Sequence, residues 1–119
     1  MHAVNISEKF AGIAEHWSPK IAGEMNGQQV KLVRLIGEFV WHHHENEDEL
    51  FLVVKGSLLM KLRDREVMIN AGEFFIVPRG VEHLPVARTE CHVVLIEPAT
   101  TLNTGNVRNA RTVERLDRV

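Results

Sequence analysis

Three consecutive histidines, His42, His43 and His44, stand close to Glu45, Glu47, Asp48 and Glu49, and an apolar run from Leu50 to Val54 follows. In an extended backbone successive side chains alternate faces, so His42 and His44 point one way while Trp41 and His43 point the other. Two imidazoles on one face can share a metal ion. Glu49 opens the strand-like run and can return a carboxylate to the same point if Glu45 to Asp48 turns, with Asp48 as its competitor. Imidazole and carboxylate donors together suit first-row transition ions. His43, on the opposite face, reads as a neighbour or interface residue, and Glu45 and Glu47 as a solvated loop.

A second stretch runs from Gly72 to His83: a turn glycine, the apolar segment Phe74 to Val77, a Pro78-Arg79-Gly80 corner and then a histidine. It would bring His83 back as a fourth donor from a separate strand, giving three nitrogens and one oxygen. The two stretches resemble the paired motifs of the cupin superfamily, in its small single-domain form. Gly37, His42, His44, Glu49 and Gly56 follow the first motif with one residue fewer after the opening glycine. Gly72, Pro78, Gly80 and His83 match the second, which departs only where Ala87 replaces an asparagine that is not a metal ligand in the family pattern. The resemblance spans residues 37 to 87. It implies an all-β, antiparallel double-stranded β-helix, the jelly-roll barrel, with His42, His44, Glu49 and His83 as the metal ligands.

The elements that must position these residues are legible in outline. Ile6, Phe10, Ile13, Ala14 and Trp17 recur at helical spacing, with Ser7 as N-cap and Glu8 in the first turn. This predicts a short amphipathic N-terminal helix over about 6–17, stopped by Ser18-Pro19 and packed on the outside of the barrel. From Lys20 the period becomes strand-like. Asn26-Gly27, both tolerant of positive φ, predicts a two-residue hairpin. Val30 and Leu32 alternate with Lys31, and further turns are expected at Gly56, Arg63 to Arg65 and Asn70 to Gly72. Turn signals at this interval argue for an all-β barrel or sandwich rather than alternating strands and helices. The barrel is expected over about 20–98 and a C-terminal tail over about 99–119, in one domain.

Several strands are apolar on both faces: Leu50 to Val54, Phe74 to Val77 and Val93 to Ile96. A barrel open to water outside should alternate instead, so the outer faces need cover. The helix can supply part, and a second copy in a two-fold homodimer can supply more.

The chain has 119 residues, a formal net charge of -2 and 25% charged residues, with a pI near 6.4. This balance gives no electrostatic reason to seek nucleic acid or an anionic membrane as partner. No apolar run approaches the roughly 18 residues of a membrane helix, and no signal-peptide pattern opens the sequence. A cytoplasmic location is expected, consistent with the single cysteine, Cys91, which reads as a packing residue in a strand. The loop from Glu97 to Asn106 reads as a pocket rim or a plain connector. Arg108, Arg111, Arg115 and Arg118 are interleaved with acids and read as a solvated face.

Four protein ligands leave open positions on an ion that prefers five or six, which fits Fe, Mn, Ni or Co, with Zn also admissible. A small-molecule substrate with adjacent oxygens could chelate there. The expected function is a metal-dependent enzyme of dioxygenase or isomerase type acting on a small oxygen-rich molecule; the alternative is a binding module in which the metal captures a ligand or is structural. Arg79 and Glu82 read as rim residues, and Trp41 and Phe51 as core or pocket wall. None supplies a decisive second acid or base.

Overall fold

A computed structural model describes all 119 residues. One helix, α1 (Ile6–Ala11), precedes seven strands: β1 (Lys20–Met25), β2 (Gln28–Glu38), β3 (Glu49–Lys55), β4 (Ser57–Leu62), β5 (Glu66–Asn70), β6 (Phe74–Val77) and β7 (His83–Pro98). Every strand pairing is antiparallel, in the order β1-β2-β7-β3-β6, with β4 pairing β7 and β5 pairing β4. The fold is an all-β jelly-roll barrel with a short N-terminal helix. Its spine is β7, hydrogen-bonded to three other strands.

Local chemistry accounts for the turns. Asn26 and Gly27, at φ 51° and 77°, close the β1–β2 hairpin, the pairing of positive angles that matches strand twist. Gly56, at φ 79°, turns β3 into β4 against the neighbouring strand: a Cβ there would meet the Glu90 carbonyl oxygen at 2.5 Å. No L side chain fits that approach without moving backbone.

Alternation then sorts the strands into two layers. Val33 and Leu35, Phe51 and Val53, Leu58 and Met60, Ile69, Val77 and the β7 residues Ala87, Cys91, Val93 and Leu95 fill the interior. Cys91 is fully buried, and burial pushes its thiol up to about 11, as befits a packing residue. On the outside, Phe10 and Ile13 bury Leu32 and Val94, with Val30, Leu52 and Ile96 alongside. The N-terminal segment thus covers one outer patch, where burial of an aromatic such as Phe10 contributes about 2 kcal/mol. Val54, Met68, Phe74 and Ile76 stay exposed.

The helix is shorter than the periodicity predicts, ending at Ala11 instead of near Trp17, and its N-cap is Asn5 rather than Ser7. Gly12 ends it, its N–H donating back to the Lys9 carbonyl and that of Ile13 to the Phe10 carbonyl. Trp17 lies beyond, at φ 58°, where its backbone N–H donates to the Arg34 carbonyl. The apolar stripe is therefore spent partly on a helix and partly on an irregular strap.

After Pro98 the chain turns across one end of the barrel. Gly105 lies against the histidine run, and a Cβ there would come within 2.2 Å of the His43 carbonyl oxygen. Asn106 clasps the same residue twice, its N–H donating to the His43 carbonyl at 3.0 Å and its Oδ1 accepting from the His43 N–H at 2.8 Å. Thr104 is fully buried, its hydroxyl 2.7 Å from that of Thr112. At the far end Ile21 of β1 exchanges backbone hydrogen bonds with Asp117 and Val119.

Candidate metal centre

His42 and His83 face each other across a backbone bridge, each N–H donating to the other's carbonyl at 3.1 and 2.9 Å. This short contact docks the histidine run onto the start of β7. Beyond it Pro78, Arg79 and Gly80 form the corner, where the Gly80 N–H donates to the His44 carbonyl at 2.7 Å. Glu49 is the first residue of β3, and its inward direction follows from the alternation that buries Phe51 and Val53.

The donor atoms of His42, His44, Glu49 and His83 lie within 4.8 Å of one another, and all four residues are buried. The other acidic candidates are elsewhere. Asp48 is exposed, its carboxylate accepting from the Arg79 N–H at 2.8 Å. His43 points away, toward Glu45 at 3.0 Å. Glu82 pairs with Arg63 at the surface, and Arg63 also lies over the Trp41 ring at 3.8 Å. Phe51 borders the site, whereas Trp41, Arg79 and Glu82 stand outside its cavity.

Two observations test whether these residues fit an ion. The Nδ1 atoms of His42 and His83 each lie 2.9 Å from a backbone carbonyl, of Val40 and Val81. That fixes the tautomer and leaves both Nε2 atoms as lone-pair donors. The Nε2 of His44 is buried, 2.8 Å from Glu49 Oε1 but out of line for a hydrogen bond, and it has no partner. An orphaned imidazole nitrogen is costly in a dry site, and a bound cation would satisfy it. The donor set of three imidazoles and one carboxylate therefore fits a transition ion.

Electrostatics favour the ligating protonation states. Burial, and then repulsion from His83, lowers His42 to about 4, so its ring is neutral at physiological pH. Burial alone would raise Glu49, but the adjoining Glu97, His44 and His83 side chains outweigh it and hold the carboxyl well below its ordinary range. Glu97 moves the opposite way, raised by burial and by the facing Glu49 charge.

His42 and Glu49 form part of the wall of a cavity of about 40 Å³, with Val33, Leu35, Phe51 and Leu95 among its apolar sides. In these terms one water takes roughly 10–15 Å³, so the space holds about three. Trp17 and Phe39, both on the cavity wall, stack at 4.7 Å, and the Arg111 guanidinium lies over both rings. Asn103, from the tail, lines the same cavity, held by the Arg111 carbonyl and the Val113 N–H.

Glu97 also lines the cavity, and with Lys31 it is the polar feature that sequence reasoning missed. The Lys31 Nζ is 2.7 Å from Glu97 Oε1, with the side chains 1% and 2% exposed. A lysine alternating with Val30 and Leu32 could have signalled this pair, but only if α1 were known to cover those two residues.

The family model described as Cupin domain matches residues 33–97. Among solved structures, a cupin-2 domain containing protein from Shewanella frigidimarina superposes with a TM-score of 0.79 at 46% identity, over 81% of this chain and 94% of that one. The Bacillus subtilis (strain 168) protein YdbB is 39% identical over 61 residues, 50% of this chain and 54% of its own length. The 3-hydroxyanthranilate 3,4-dioxygenase of Xenopus laevis is 28% identical over 90 residues, 70% of this chain but 32% of that enzyme. The chain thus spans about half of one curated relative and a third of the other. With both histidine-bearing motifs folded onto one buried cluster inside the barrel, the chain belongs to the cupin family.

Proposed function

We propose that this cupin is a metal-dependent enzyme of the dioxygenase type, acting on a compact molecule that presents adjacent oxygens from an apolar body. The observation that carries the reading is the junction of a buried His42-His44-Glu49-His83 cluster with a cavity walled largely by Val33, Leu35, Phe51 and Leu95. The 28% identity to a dioxygenase that acts on an aromatic hydroxy acid supports the same class. A bound ion such as iron, manganese, nickel or cobalt supplies charge stabilisation to chelating oxygens and, where it is iron, a centre for dioxygen.

The chain's own residues do the rest. The carbonyls of Val40 and Val81 aim the His42 and His83 rings. Phe51, Leu95 and Val33 present apolar walls that limit water to a few molecules, which strengthens charge interactions inside. Trp17 and Phe39, with Arg111 over both rings, wall one side of the cavity, and a substrate larger than a few heavy atoms requires its walls to move. We extend the reading to a homodimer in which a second copy covers Phe74, Ile76 and Met68, which are exposed; a monomer at micromolar concentration in sedimentation would count against this part.

The test is metal analysis of untagged protein, followed by oxygen uptake with a panel of catechols, aminophenols and hydroxy-acids. Stoichiometric metal and uptake with one substrate class support the proposal. Metal-dependent isomerisation without uptake, or saturable binding without turnover, would replace it with an isomerase or a ligand-capturing module.

A further inference from the structure

The strand register sets three polar residues in one transverse row across the inside of the barrel. Lys31 pairs with Leu95 and Gln29 with Glu97 between β2 and β7, so Lys31 and Glu97 are diagonal neighbours. Leu50 pairs with Ile96 between β3 and β7, which brings Glu49 opposite Glu97. The adjoining inward row is apolar, with Val33, Leu95 and Phe51. The row forms a chain: Lys31 to Glu97 at 2.7 Å, Glu97 across the register from Glu49 on the wall of the same cavity, and Glu49 Oε1 to His83 Nε2 at 3.1 Å.

We propose that Lys31 and Glu97 are a positioning pair for Glu49, fixing the one carboxylate of the metal cluster in the orientation that presents it to the ion. The proposal rests on the metal reading given above. Three features of the fold support it. A buried ion pair contributes little to stability, because removing two charges from water offsets their attraction, so packing alone gives no reason for Lys31 and Glu97 to be here. Glu97 Oε2 is buried without a hydrogen-bond partner, while its Oε1 is held by Lys31 and its register position lies across from Glu49. No backbone N–H donates to the Glu49 carboxylate, whereas backbone carbonyls orient His42 and His83; Glu49 takes its support from side chains, and outer partners of this kind set ligand orientation.

The experiment compares wild type, Glu97→Gln and the double variant Lys31→Met/Glu97→Leu. Cobalt(II) and zinc affinity are read by chelator competition, geometry by the cobalt visible spectrum, and stability by denaturation of the metal-free protein. Gln keeps an oxygen for Lys31 and an N–H for Glu49, so its affinity should stay within about threefold of wild type. The double variant should bind metal about 10–100-fold more weakly, with an altered cobalt spectrum and undiminished metal-free stability. Metal affinity unchanged in the double variant, or a loss that merely parallels lost stability, would overturn the proposal. So would a Glu97→Gln variant as weak as the double variant. If wild type itself binds no metal, the reading under the proposed function fails; if wild type binds and the variants match it, only the positioning role fails.

Discussion

Acidifying the metal-free protein tests the burial of His42 directly. Its ordinary value is about 6.5, in line with an unfolded chain, and burial beside His83 brings it to about 4 in the fold. Between these values the unfolded chain binds a proton that the folded one refuses, so stability falls as pH drops through this window. At about 1.4 kcal/mol per pH unit, the loss assignable to His42 is about 2–3 kcal/mol between pH 7 and pH 4.5. Glu97 contributes with opposite sign, since its raised value favours the fold at acid pH and is lost as pH rises above about 4.5. Glu49, held low, weakens the fold only at pH values below that. The His42 term is isolated by comparing wild type with His42→Leu in urea denaturation with chelator present, across the pH range. The two stability curves should converge by about 2–3 kcal/mol on going to pH 4.5. Parallel curves would show that the imidazole keeps its ordinary value, and hence that the site is wetter than its burial indicates.

Further outcomes follow from single contacts. Glu49→Ala should cut metal stoichiometry to under about a tenth, as expected for loss of one of four donors, whereas His43→Ala, whose ring points outward, should leave it unchanged; elemental analysis of both decides. Gly105→Ala forces a Cβ against the His43 carbonyl at 2.2 Å, and should release the tail, seen as faster hydrogen exchange over 99–113 with about 1–3 kcal/mol of lost stability. Phe10→Ala should cost about 3 kcal/mol and expose Leu32 and Val94, checked by denaturation and dye binding.

The parts of the molecule legible in the sequence are those whose cause is local. Asn26-Gly27 names its own turn, and His42-x-His44 names its own face. Glu49 and Asp48 both stayed open in the sequence, and only the fold separates them, burying Glu49 and leaving Asp48 exposed. Helix length was not legible, because Gly12 and the pull of the Arg34 carbonyl on Trp17 compete with a stripe that continues to Trp17. Lys31 and Glu97 are 66 residues apart, and neither carries a local sign of the other. Glu97 in sequence looks like the start of a polar loop, and only the register of β2, β7 and β3 turns it inward beside Glu49. The tail likewise shows its role only in space, since Asn106 and Gly105 matter through His43.

The placement of β7 has a consequence for how the chain is made. It is the last strand in sequence and the one to which β2, β3 and β4 all bond. On the ribosome the β1–β2 and β4–β5 hairpins can close early, but β2 and β3 wait with bare edges until residues 83 to 98 emerge. Pairings this distant are slow, and waiting edges invite pairing with other chains. His42, His44 and Glu49 spend the same interval without His83. An ion arriving then would meet two imidazoles on a loose segment, and the four-donor cluster would be complete only once β7 closes the barrel. Any ion that this cluster holds would therefore be taken up by the closed barrel, so the order of the strands ties completion of the site to the last step of folding.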